Sequence, residues 1–136
     1  MPSVLSTKTL SESDFPLVQG FHEQMGFDYL MPDLASPLFV LKHGVYDEKG
    51  RLLGVGALRL QAEAYLWVDT TIPISVRYKL LFVLCRSLAV DAWRMGLDCA
   101  VAYLPPNLPK SFTRLLTRLG WLPMREGWKP WSREIK

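Results

Sequence analysis

The sequence predicts an α+β fold: a single mixed, mostly antiparallel central sheet flanked by helices, in one domain over residues 1–136. Three observations carry this expectation. Residues 38–69 contain β-rich runs broken by short turns, the pattern of an antiparallel meander. Residues 62–104 then read strand, loop, long helix, strand, and such a crossover joins parallel strands. Residues 110–119 repeat apolar side chains at the spacing of an amphipathic helix. A chain of 136 residues, 49% of them apolar, is long enough to bury one core and too apolar for a disordered chain.

The elements follow in order. Ser3–Thr9 reads as a short strand. Ser11 with Asp14 three residues on forms a capping-box pattern, with Asp in place of the usual Glu. Phe15, Val18, Phe21 and Met25 share a helical face, and Gly26 supplies a stop, so a helix is expected over Glu12–Met25. Pro16 falls in its first turn, where proline is tolerated. His22 lies beside the apolar face and reads as a structural histidine. Residues 27–37 hold two prolines and no period. They read as a loop or a broken short helix, and their many apolar side chains point to a segment packed over the core or lining a pocket mouth.

Leu38–Tyr46 and Arg51–Leu60 form a hairpin through Asp47-Glu48-Lys49-Gly50. Gly54 and Gly56 in the second strand signal a bulge or a close backbone approach. Glu63–Asp69 is the third strand of the meander. Residues 70–74 open a helix that begins at Pro73 or Ser75 and ends at Gly96. Its apolar residues nearly encircle it, so burial between the sheet and another layer is expected. Asp98–Leu104 is the parallel strand, broken by Pro105-Pro106-Asn107. Pro109–Leu119 follows as a helix, with Phe112, Leu115, Leu116 and Leu119 inward and Lys110, Arg114, Thr117 and Arg118 outward. Trp121–Lys136 reads as one or two strands around Glu126-Gly127, with Trp121, Trp128 and Trp131 buried against the long helix or, as the alternative, forming an exposed contact surface or pocket wall.

Composition narrows the function classes. No apolar run reaches the roughly 18–20 residues of a membrane span. The N-terminus has no basic segment leading into an apolar core, so no secretory signal is read, and a cytoplasmic protein without membrane contact is expected. Cys85 and Cys99 sit in apolar segments as buried thiols. His22 and His43 show no metal-ligand spacing, and no metal is expected. Charge is unevenly spread. Residues 1–76 hold five Lys/Arg against nine Asp/Glu, and residues 77–136 hold eleven against four. The C-terminal half therefore suits an anionic partner: a phosphorylated cofactor, nucleic acid or an acidic surface.

Two local features add a resemblance. Leu119-Gly120-Trp121 closes a helix with leucine, glycine and an aromatic. Arg77 stands eight residues after Asp69, with Lys79 next but one. With the order of elements, this resembles the GNAT superfamily of N-acetyltransferases over nearly the whole chain. The resemblance implies acetyl-CoA as cofactor, wrapped by a glycine-rich loop at the start of the long helix. It places Trp67, Val68, Arg77, Tyr78, Lys79 and Asn107 at the cofactor. It places Glu63, Asp69 and Tyr103 where catalytic groups stand. The chain departs from the family at Tyr78, Leu80 and Phe82, where glycines are expected, and at Leu116, where the family often has a tyrosine acid.

Two function classes follow. One is an acyl-CoA-dependent N-acyltransferase acting on an amine of a small molecule or a protein. The other is a non-catalytic module that keeps the fold to bind protein or nucleic acid, the latter through Arg114, Arg118, Arg125, Lys129 and Arg133. Pairing of terminal strand edges would add a homodimer.

Overall fold

A computed structural model describes residues 4–124 and 127–135. Ser3, Arg125, the turn position Glu126 and Lys136, each part of an expectation above, lie outside them. The architecture is α+β, with three α-helices and a three-stranded antiparallel sheet. By contacts the chain forms two compact units. One runs to Glu63 and includes Leu97–Val101; the other comprises Ala64–Gly96 and the chain from Ala102.

The first unit is built on strands β1 (Ser6–Thr9), β2 (Phe39–Tyr46) and β3 (Leu52–Arg59), in spatial order β1-β2-β3. The β2–β3 hairpin closes as its turn chemistry predicts. Asp47 Oδ1 accepts from the amides of Lys49 and Arg51, both at 2.9 Å, and Gly50 takes a φ of 77°. Ladder irregularities fall between Phe39 and Leu41 and between Val45 and Tyr46, the second beside Gly54; Gly56 sits opposite His43. The close approach is at Gly44 instead. A Cβ there would meet Tyr46 Cε2 at 2.8 Å and Leu52 Cδ1 at 2.9 Å.

Ser11 caps a short 3-10 helix, Glu12–Asp14, which leads into α1 (Phe15–Met25). The expected capping box does not form. Asp14 accepts from the Tyr46 hydroxyl at 2.8 Å, so its carboxylate ties the helix entrance to β2. Gly26 ends α1 with a φ of 68°. Leu10, Leu34, Tyr46 and Leu52 form the buried core, with Phe15, Val18, Phe21, Met31, Phe39 and Val55 packed on it. The expected face of α1 thus covers the sheet, and Leu34 brings the 27–37 loop into the core. His22 is satisfied: it lies 2.8 Å from the Tyr29 carbonyl and meets the Tyr29 ring edge-on.

The third meander strand is shorter than expected. Only β4 (Ala62–Glu63) forms, and it pairs in parallel with β5 (Ala100–Val101) rather than with β3. The strands therefore make two ladders, not one sheet. Parallel pairing across the crossover is as expected. Arg59 pairs with Asp98 and ties the end of β3 to the residues before β5.

In the second unit α2 (Ile74–Arg94) begins at its N-cap Pro73 and stops before Gly96, which has a φ of 84°. Its expected burial is not found: Leu81 alone is buried, while Leu80, Phe82, Val83 and Leu88 are exposed. A helix apolar on every side needs cover all round. Among the described residues its own unit adds α3 (Lys110–Arg118) and irregular chain. Of the two cysteines expected to be buried, Cys85 is half-buried and Cys99, in the first unit, is exposed. In α3 the expected pattern holds: Phe112, Leu115, Leu116 and Leu119 are half-buried, and Lys110, Arg114, Thr117 and Arg118 are exposed. No strand forms among the described residues after α3. Prolines at 123 and 130 each remove a ladder donor from that segment. Trp128 and Trp131 are exposed instead of buried, the latter by 92%.

Candidate functional site

Residues 69–77 connect irregular chain to the first turn of α2, and side chains close this loop upon itself. Asp69 Oδ1 accepts from Thr71 twice, from the hydroxyl at 2.7 Å and from the amide at 2.9 Å. The hydroxyl bond, then the amide bond, hold the Asp69 carboxyl below its ordinary pKa. Desolvation opposes this, and the Arg77 charge adds a smaller downward pull. Arg77 Nε donates to the Ile72 carbonyl at 2.9 Å, and a second guanidinium N–H donates to the Thr70 carbonyl. The helix opens on Pro73, which has no N–H. The Val76 and Arg77 amides both donate to the Pro73 carbonyl at 3.0 Å.

Pyrophosphate of acetyl-CoA needs free amides and a backbone it can approach closely. Residues 77–82 all lie within α2, so the amides from Tyr78 onward donate along the helix. No glycine occurs between Gly56 and Gly96. Arg77 already serves two carbonyls. The residues of this segment therefore do not fit the pyrophosphate through backbone amides, and Lys79 is the exposed cation that remains.

The other expected site residues are described within their own units. Glu63 is in β4 opposite Val101, in the first unit. Trp67 is 83% exposed and stacks on Tyr65 with ring centroids 5.7 Å apart. Val68 is half-buried. Tyr103 and Asn107 are exposed on irregular chain beyond β5. Among the described residues, no hydrogen bond joins Tyr103 or Asn107 to the Asp69–Arg77 cluster. Of the eight that lie in the second unit, the structure brings together Asp69 and Arg77 in one loop, where Thr71 bonds to Asp69. Thr71 was not anticipated, although Asp69-Thr70-Thr71 carries the signal: an aspartate with a hydroxyl residue two positions on favours this turn. A groove of about 290 Å³ lies elsewhere in the first unit, lined by Phe15, Gln19, Met31, Pro32, Asp33 and Leu34.

Among the described residues no cluster of three metal-ligating side chains occurs, and no helix is long and apolar enough to cross a membrane. Compared with protein-family models, curated proteins and solved structures, the chain matches none.

Proposed function

We infer that this chain is a GNAT-like domain that works as a non-catalytic binding module and does not use acetyl-CoA. One observation carries the reading: Arg77 donates to the loop carbonyls of Ile72 and Thr70 at the very start of α2. The cation that the family resemblance assigns to phosphate is here a structural clasp. The neighbouring groups agree. Tyr78, Leu80 and Phe82 are helical and bulky where close approach is required. Asp69 is shifted toward lower pKa, away from the near-neutral value that suits a general base. Loss of the clasp tests this directly. Arg77→Ala lowers the thermal midpoint, because two loop carbonyls lose their donor. A variant as stable as the parent would contradict the structural role.

The enzyme reading is favoured by one feature, the parallel β4–β5 pair joined through α2, since such crossovers precede ligand sites in many α/β proteins. On that reading acetyl-CoA raises the melting temperature and an amine acceptor is acylated. Turnover by the purified protein with a panel of amines would establish it.

A further inference from the structure

We propose that α3 and residues 128–133 supply a docking surface for single-stranded nucleic acid. Lys110, Arg114 and Arg118 recur at every fourth residue, so they line one side of α3, and all three are exposed. Successive cations rise about 6 Å along the axis. Phe112, Leu115, Leu116 and Leu119 are half-buried on the other side. That burial points the basic row toward solvent. The sequence holds no Asp or Glu from Cys99 to Met124. Among the described residues, none of the three cations is in an ion pair.

The helix ends in a Schellman turn: the Gly120 amide donates to the Thr117 carbonyl at 3.1 Å and the Trp121 amide to the Leu116 carbonyl at 3.0 Å. Beyond it Trp128, Lys129, Trp131 and Arg133 place exposed rings and cations alternately along the chain. Cations suit phosphates, and exposed indole rings suit unpaired bases, which stack on them whatever their sequence. A duplex keeps its bases stacked on one another. An acidic peptide matches the charge and makes no use of the exposed Trp131 ring. Single-stranded nucleic acid matches both features.

The surface rests on the binding-module reading and supplies its partner. Fluorescence anisotropy of a labelled oligothymidylate with the full chain tests it. If the five cations each neutralise one phosphate, log K falls against log salt with a slope of about −3.5. Replacing Lys110, Arg114 and Arg118 together by Gln reduces that slope by about 2. Trp131→Ala weakens binding about fivefold or more. Lys49→Gln, in the β2–β3 turn, leaves both unchanged. Far-ultraviolet dichroism of each variant confirms that it is folded. A slope unmoved by the triple substitution overturns the proposal. So does duplex binding as tight as single-strand binding, or equal competition by polyglutamate. Acetyl-CoA stabilisation, measured on the same protein, reports separately. If it occurs alongside oligonucleotide binding, the non-catalytic reading fails and the docking surface stands.

Discussion

At Gly44 a hydrogen is all that β2 accommodates, because Tyr46 and Leu52 close over it at less than 3.0 Å from any added Cβ. Gly44→Ala is therefore expected to cost about 1–3 kcal/mol, the usual effect of overpacking. Gly54 has nothing within 4 Å of its Cβ direction, and Gly54→Ala stays within about 0.5 kcal/mol. Urea denaturation of the pair measures the contrast; equal losses would contradict it. In sequence Gly54 and Gly56 stood out and Gly44 did not. The reason is physical: the approach arises only when the hairpin brings Tyr46 and Leu52 over the same backbone position. Asp69 and Tyr46 give opposite pH dependences. The Asp69 carboxyl is lowered, chiefly by the Thr71 hydroxyl. Its stabilising effect is complete above the ordinary carboxylate range and is lost as pH falls through the lowered value. Tyr46 is raised, first by donating to Asp14. Its contribution is complete below the ordinary tyrosine value and is lost as pH rises beyond it. Asp69→Asn should flatten the acid limb of a stability–pH curve and Tyr46→Phe the alkaline limb. An unchanged limb in either variant would refute that assignment.

Among the elements, α1, the β2–β3 hairpin and α3 were legible because each is specified locally, by a helical repeat, a turn motif or a terminal glycine. Gly120 shows how far this goes: with a φ of 92° it closes α3, and Gly120→Ala should cost about 1 kcal/mol and loosen the turn to Trp121. Leu52, buried with Leu10, Leu34 and Tyr46, should lose about 2 kcal/mol or more on replacement by Ala. A midpoint shift smaller for Leu52 than for exposed Leu53 would contradict the placement of the core. Two of the strands that fell short of the expectation share a cause. β4 and β5 depend on pairing between residues about forty apart, which β-propensity does not report. The burial expected of α2 came from composition alone, and composition does not reveal which partners a helix has. The clasp at Asp69, Thr71 and Arg77 was half legible. Asp69 stood out as a candidate catalytic group and Arg77 as a candidate phosphate contact, and only the geometry shows both bonded within the loop they flank.

For the molecule as a whole, the uneven charge is the property that most constrains function. An acidic half carries the β2–β3 hairpin and its core, and a basic half carries nearly all of α2, all of α3 and four of the five tryptophans. Charge at that scale governs which partners approach, not how the chain folds. The account stands on the claim that the start of α2 is fastened shut and does not receive a phosphorylated cofactor. Titration of acetyl-CoA into the full chain is the most direct test, read by calorimetry and by melting temperature together. A ligand held only by the native state raises stability in proportion to the logarithm of its excess over Kd. The account predicts no binding heat and an unmoved melting temperature at millimolar acetyl-CoA. A saturable heat with a rising melting temperature would contradict it.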